Sequence, residues 1–161
     1  MKKLLSIITI CLIGCCYFAG CSSKDNSEVA KSQNDPKATV EEYFKCWNQK
    51  DRNKMKLLET EALKNLDADF EFDNLKSIKL VSCEDCTSKN FIEEEIKRAV
   101  NDKIVSKESA RENVKCFNVR FDIKLKNENQ GARDSGISEE IITLVRKDKN
   151  SKWLISSMGE G

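Results

Sequence analysis

The sequence predicts an α+β fold in which N-terminal helices pack on a curved antiparallel sheet. Three observations favour this class. Apolar residues recur at helical spacing across residues 36–65, whereas apolar and polar residues alternate across residues 117–125. A polar turn over residues 147–152 then joins two further strands. Because the alternation gives the sheet one polar face, we expect the helices to cover the other face.

The first helix is predicted to begin at Asp35 and Pro36, because aspartate caps helices and proline suits the first helical position. Thr39 with Glu42 offers an alternative capping box one turn later. The apolar face of this helix consists of Val40, Tyr43, Phe44 and Trp47.

Two further helices follow from the same periodicity. Asp51 can cap a second helix that runs to about Asn65. Its predicted buried side consists of Met55, Leu58, Ala62 and Leu66. A third, highly charged surface helix is predicted over residues 91–104, with Ile92, Ile96, Ala99, Val100 and Ile104 on one side.

The strands are predicted from alternation with a period of two. Ile78 and Leu80 indicate the first strand, and the second is marked by Phe117, Val119, Phe121, Ile123 and Leu125. A third strand buries either Ile142 with Leu144 or Ile141 with Val145, and a hairpin leads into residues 153–157. Residues 127–136 are predicted to form a flexible loop.

The N-terminus has the layout of an export signal. Lys2 and Lys3 precede an apolar stretch of 16 residues, 4–19, which is shorter than the roughly 20 residues that span a bilayer. Phe18-Ala19-Gly20-Cys21 resembles the lipobox of bacterial lipoproteins, although the first position is commonly Leu. The resemblance implies cleavage before Cys21, diacylation of Cys21 and attachment to membrane lipid on the extracytoplasmic face of the cell membrane.

The chain is therefore predicted to have three parts. Residues 1–20 are a lipoprotein signal peptide, residues 21–35 are the lipidated Cys and a disordered linker, and residues 36–161 are a single α+β domain. The linker follows from composition, since only Val29 and Ala30 are apolar in residues 22–35.

The net charge of the chain limits the classes of partner that the sequence predicts. The chain has 28 basic and 27 acidic residues, so removal of Lys2 and Lys3 leaves a net charge near −1. This balance predicts neither nucleic-acid binding nor a polybasic membrane patch.

Two stretches resemble the nuclear-transport-factor-two-like, cystatin-like superfamily. DPKATVEEYFKCWNQKD is similar to its opening helix, and TLVRKDKNSKWLISSMG is similar to its final hairpin, although Met158 replaces an expected aromatic residue. The same pieces resemble an uncharacterised lipoprotein family, domain of unknown function 4829, with residues 85–113 departing most. The resemblance implies a cone between helices and sheet, and it transfers no catalytic residue and no cofactor.

Candidate walls of that cone are the large apolar residues facing it, although a filled core predicts the same residues and is favoured. They are Val40, Tyr43, Phe44, Trp47, Phe117, Phe121 and Trp153. Enzymes on this fold use a buried carboxylate with a Tyr or a second acid. The chain has no His, Tyr43 is its only Tyr after residue 20, and no converging reactive groups are visible, so we expect a protein that is not an enzyme.

The cysteines leave several readings open. Cys83 and Cys86, with Cys46 and Cys116, predict one or two disulfides or free thiols, with zinc or redox chemistry as alternatives. Cys116 falls on the polar face of its strand, and Cys46 borders the helix stripe. Glu84 and Asp85 disfavour a reactive thiolate by repulsion.

The acidic stretch DADFEFD, residues 67–73, does not predict a calcium loop. Phe72 occupies the position of the required Gly, and Ile78 that of the bidentate Glu. We expect a solvated edge with Phe70 and Phe72 tucked beneath it.

The sequence thus predicts a membrane-anchored, non-catalytic binding or interaction module with an extracytoplasmic protein or small ligand as partner. No metal or cofactor is expected. Two alternatives are a thiol-active or metal-binding lipoprotein that uses Cys83 and Cys86, and a purely structural envelope subunit.

Overall fold

The structure is a computed structural model that describes residues 29–66, 70–87, 92–131 and 133–159. The predicted signal peptide and Cys21 lie outside the described residues. The elements in chain order are α1 (Pro36–Asn48), α2 (Arg52–Leu57), α3 (Glu61–Lys64), β1 (Leu75–Asp85), α4 (Ile92–Asn101), α5 (Ala110–Asn113), β2 (Val114–Leu125), β3 (Gly136–Val145) and β4 (Leu154–Gly159).

The four strands form one antiparallel sheet in the order β1-β2-β3-β4, which does not close into a barrel. Register shifts interrupt the β1–β2 and β3–β4 pairings, and such irregularities accompany bending of a sheet. The predicted α+β class, with N-terminal helices on an antiparallel sheet, is confirmed. Among the described residues, no helix is long and apolar enough to cross a membrane.

Helix α1 begins where the sequence predicts. The Asp35 carboxylate accepts hydrogen bonds from the backbone N–H groups of Lys37 (2.8 Å) and Ala38 (3.4 Å). Thr39 lies inside the helix, and its hydroxyl donates to the Asp35 carbonyl at 2.9 Å. The start at Pro36 is therefore confirmed, and the alternative start one turn later is wrong.

The chain just before α1 packs on the domain. Residues 29–32 are helical, and Val29 is buried in the main core. The Gln33 side-chain amide donates to the Leu57 carbonyl at 2.8 Å, and the Trp153 N–H donates to the Gln33 carbonyl at 2.8 Å. Residues 29–35 of the predicted linker thus belong to the folded unit, because their backbone and side chains tie α2 to β4.

The predicted second helix is divided into α2 and α3. Asp51 caps α2 by accepting from the Lys54 N–H at 3.0 Å, as expected. Between the helices, the Leu58 carbonyl accepts from the Ile155 N–H (2.8 Å) and the Thr60 N–H donates to the Ile155 carbonyl (2.9 Å). Pairing with the edge strand β4 therefore replaces the helical hydrogen bonds that these residues would otherwise make.

This break changes which side chains are buried. Met55 and Leu58 are buried as predicted. Ala62 and Leu66 are exposed, Leu66 by 61%, and Leu63 is buried instead. The prediction for Ala62 and Leu66 is wrong because α3 starts afresh at Thr60 with a different rotation about its axis.

The sheet buries side chains on both faces. The main core lies between the helices α1 and α2 and one face of the sheet, and it contains the alternating residues of β2. Helix α4 covers part of the other face, where Ile92, Ala99, Val114, Cys116 and Val145 form a second core.

The second core determines the outcome of two predictions, one for Cys116 and one for the buried residues of β3. Cys116 is fully buried rather than on a polar face, because α4 packs over this end of β2. Ile142 and Leu144 face the main core while Val145 and the partly buried Ile141 face the second, so both alternatives for β3 hold, one for each face.

Candidate functional site

The predicted pocket residues lie in the packed main core. Each is at most 4% exposed: Tyr43, Phe44, Trp47, Phe117, Phe121 and Trp153. Val40 is fully buried beside them. Ring centroids are 5.7 Å apart for Phe44–Trp47 and 5.2 Å for Phe44–Phe121, so the rings contact one another. None of these residues lines either groove described below.

A buried polar cluster lies at the edge of this core. Glu59 is fully buried, and its Oε1 accepts from the Tyr43 hydroxyl at 2.8 Å and from Arg52 Nη1 at 2.6 Å. Among the described residues, Glu59 Oε2 has no hydrogen-bond partner. Burial and the negative charge of Glu59 raise the pKa of Tyr43 well above its ordinary value. Tyr43 therefore remains a protonated donor to the carboxylate.

The sequence reasoning missed this cluster. It placed Tyr43 on the apolar stripe of α1 and expected a continuous helix through Glu59. Glu59 is turned inward because residues 58–60 run beside β4, and no local pattern in the sequence marks that pairing.

Arg52 connects the cluster to a groove of about 860 Å³. Its guanidinium lies 4.6 Å from the Phe70 ring centroid, and the Phe70 and Phe72 rings stack with centroids 5.6 Å apart. We call this concavity the Phe70 groove. It is lined by Arg52, Lys56, Lys64, Asn65, Leu66, Phe70, Glu71, Phe72, Asp73, Asn74, Gln130 and Gly131.

The loop between β2 and β3 forms one wall of the Phe70 groove. The Asn74 side-chain amide donates to the carbonyls of Asn127 (3.0 Å) and Gln130 (2.6 Å). The Arg133 N–H donates to Glu71 Oε1 at 3.0 Å, and an added Cβ at Gly131 would lie 2.5 Å from Glu71 Oε2. The predicted flexible loop is thus held by defined hydrogen bonds to residues just before β1.

The two aromatic residues of the acidic stretch before β1 are placed as the sequence predicts. Phe70 is buried and Phe72 is half-buried, and both pack on the main core. The prediction that these two rings are tucked beneath the edge is confirmed.

The lining of the groove combines aromatic and polar side chains. Its floor is aromatic, and its rim carries cations, carboxylates and amides. Lys64 pairs with Glu61 at 2.6 Å, whereas Lys56 forms no ion pair with any residue in the described part of the chain. The part of the lining that the structure describes contains no Cys, Ser, Thr or Tyr, so it offers no side-chain nucleophile of these types.

Cys46, Cys83, Cys86 and Cys116 are present as thiols in the structure. Burial, as the main cause, raises the pKa of Cys46 to about 12 and the pKa values of Cys83 and Cys116 to about 11. Cys83 packs against the main core and Cys86 lies in the second core, on the other side of the sheet. The two thiols therefore face different cores, and the raised pKa values of Cys46, Cys83 and Cys116 disfavour thiolate chemistry.

Within the described ranges, no group of three or more Cys, Asp or Glu side chains is arranged to hold a metal ion. Cys83 and Cys86 on their own would leave a zinc ion with two ligands from the protein.

The fold and groove define a small α+β domain whose antiparallel sheet is covered by helices on both faces. A family model described as a domain of unknown function (DUF4829) matches residues 37–159, and the chain belongs to this family. No curated protein and no solved structure was found to match the chain.

Proposed function

We propose that the protein is a lipid-anchored binding module on the extracytoplasmic face of the cell membrane, and that the Phe70 groove is its ligand site. The observation that carries this proposal is the combination of stacked aromatic rings on the floor with converging cations and amides on the rim. The domain is non-catalytic in this proposal, because the described residues that line the groove include no Cys, Ser, Thr or Tyr nucleophile.

The anchor is the diacylated Cys21. Its support is the lipobox-like Phe18-Ala19-Gly20-Cys21, preceded by an apolar stretch too short to span a bilayer. Two acyl chains give stable attachment, whereas one gives only marginal attachment. The finer placement in the nuclear-transport-factor-two-like superfamily is part of the same proposal, supported by the N-terminal helices on an antiparallel sheet.

A planar molecule with hydrogen-bond acceptors suits the groove. Its ring system would contact Phe72 and the partly exposed surface of Leu66, while its acceptors would meet Arg52 and Lys56. Arg52 is held in place by its hydrogen bond to the buried Glu59, so little side-chain freedom is lost when a ligand binds.

The groove can be tested with 1-anilinonaphthalene-8-sulfonate, a fluorescent aromatic anion. A chain that begins at Ser22 keeps the folded unit and carries no acyl groups. We expect saturable binding of the dye, and a roughly 10-fold loss of affinity in Lys56→Glu with Leu66→Asp, because a cation and an apolar contact are removed together.

Lys79→Glu with Val81→Asp is the matched control, since it makes the same change of net charge at two exposed positions outside the groove, Val81 being 51% exposed. Equal dye affinity for all three proteins would contradict the groove as a ligand site. It would favour a purely structural envelope subunit.

The anchor is tested separately with Cys21→Ser in the exporting host. The parent protein should carry radiolabelled palmitate and partition into detergent, whereas the variant should remain unlabelled and uncut. Equal labelling of both proteins would contradict acylation at Cys21.

A further inference from the structure

A second groove, of about 530 Å³, lies where the N-terminal turn meets the β3–β4 hairpin. Its floor is apolar and includes Val29, Ala30, Leu57 and Leu154. Basic side chains contribute to its lining, and no acidic residue is among the described residues that line it. We call this groove together with residues 146–152 the hairpin face.

The hairpin face is strongly cationic, although the chain as a whole is nearly neutral. Residues 146–152 carry four basic groups, Arg146, Lys147, Lys149 and Lys152, against one acid, Asp148. Asp148 is occupied in shaping the turn, since its carboxylate accepts from the Asn150 N–H and the Ser151 hydroxyl, both at 2.9 Å.

Arg146 holds the hairpin in position. Its Nε donates to Asn113 Oδ1 at 2.8 Å, and its guanidinium lies 4.5 Å from the Trp153 ring centroid. In contrast, Lys147, Lys149 and Lys152 form no ion pair with any described residue. Three solvent-facing ammonium groups are therefore held on a fixed turn.

The position of this face follows from the N-terminal connection. Val29 and Ala30 line the groove, and the Gln33 carbonyl accepts from the Trp153 N–H, so the chain leaves the folded unit beside the hairpin. Seven residues, 22–28, separate Cys21 from Val29. A fully extended chain of this length spans at most about 29 Å, so Val29 stays within that distance of an acyl anchor at Cys21.

We propose that the hairpin face docks on the anionic phospholipid headgroups of the membrane that anchors the chain. The inference rests on the proposed anchor at Cys21. Charge complementarity favours lipid phosphate, since each Lys near an anionic bilayer strengthens attachment about fivefold. Leu57, which is 49% exposed in the floor of the groove, supplies an apolar contact at the interface.

The test uses the full acylated chain incorporated into vesicles of phosphatidylcholine alone or mixed with phosphatidylglycerol. Flotation with the neutral vesicles measures the Cys21 anchor. Amide hydrogen exchange of residues 147–153 measures docking of the hairpin face. We expect exchange to slow about fivefold or more in the anionic vesicles, and this protection to fall as salt screens the charges.

The variant Lys147→Glu with Lys149→Glu and Lys152→Glu should lose the protection and still float with neutral vesicles. The matched control, Lys76→Glu with Lys79→Glu and Lys124→Glu, makes the same change of net charge on exposed positions of β1 and β2 and should keep the protection.

Equal exchange in the two vesicle types would overturn the docking proposal, as would an equal loss in the control variant. Failure to float with neutral vesicles would instead contradict the anchor. In that case flotation of the parent with anionic vesicles, lost in the hairpin variant and kept in the control, would still support the hairpin face. Absence of flotation with both vesicle types would overturn both proposals.

Discussion

The Tyr43 hydroxyl donates a 2.8 Å hydrogen bond to the carboxylate of Glu59, 16 positions along the chain and fully buried. The contact joins α1 to the segment between α2 and α3, which itself pairs with β4. Arg52 completes the cluster from the solvent side and lines the Phe70 groove. Arg52 therefore lines the groove while contacting the same buried carboxylate that links α1 to the segment paired with β4.

Removing either partner of Glu59 should destabilise the domain by different amounts. Tyr43→Phe should lower the free energy of unfolding by about 1–3 kcal/mol, because a buried carboxylate loses a donor. Arg52→Met should cost about 3 kcal/mol, since it leaves the buried charge without a cation. Urea unfolding followed by tryptophan fluorescence measures both.

Arg120→Met is the control for these variants. Arg120 pairs with Glu139 at 2.8 Å, but both side chains are exposed, so its loss should cost less than about 1 kcal/mol. A similar cost for Arg120→Met and Arg52→Met would mean that Arg52 contributes no more than a surface pair does.

Local patterns predicted the elements whose neighbours lie close in the sequence. Asp35 and Pro36 placed the start of α1 because capping depends on residues within one turn. The alternation from Phe117 to Leu125 placed β2 and its main-core face, because a half-buried strand needs only a period of two.

The errors arise where a distant element decides the outcome. Leu66 is exposed because β4 pairs with residues 58–60 and resets the helix, and Cys116 is buried because α4 covers a face that alternation leaves polar. Glu59 was missed for the same reason. The hairpin face was not predicted from composition, because a net charge near zero for the whole chain does not reveal a local cluster of basic residues in the hairpin.

Gly131 should be less replaceable than Gly136. Both have positive φ angles, 108° and 136°, so alanine is strained at either position. Only at Gly131 would the added Cβ lie 2.5 Å from Glu71 Oε2, and moving that carboxylate would disturb its hydrogen bond from the Arg133 N–H.

Gly131→Ala should therefore lower the free energy of unfolding by about 1 kcal/mol more than Gly136→Ala, in line with the loss of one part-buried hydrogen bond. Chemical denaturation of the two variants side by side gives the difference. An equal loss of unfolding free energy in the two variants would show that the β2–β3 loop shifts to accept the added Cβ and keeps its contact with Glu71.

Stability should fall at alkaline pH partly through Cys46. Burial raises the pKa of this thiol from its ordinary 9.0 to about 12. The folded state thus keeps the proton where the unfolded state has lost it, so stability is complete below about pH 9 and declines as the pH rises towards 12.

Replacing Cys46 with Ala should remove this part of the decline, which for one thiol is at most about 1.4 kcal/mol per pH unit. The midpoints of urea unfolding between about pH 8 and pH 11, compared for parent and variant, measure it. Parallel pH profiles would contradict the raised pKa of Cys46, since every other ionisable group is common to both proteins.

The boundary of the folded unit is testable by truncation. A chain that begins at Asp35 keeps the cap of α1 but loses the buried Val29 and the Gln33 hydrogen bonds to Leu57 and Trp153. It should be less stable than a chain that begins at Ser22 by about 2 kcal/mol or more, because apolar burial and two hydrogen bonds are lost. A chain that begins at Val29 should match the chain that begins at Ser22 in urea unfolding, because every contact named for the N-terminal turn is retained.

If the chain that begins at Asp35 is instead as stable as the two longer chains, then residues 29–34 contribute nothing to the fold. In that case the N-terminal connection no longer holds the hairpin face near Cys21.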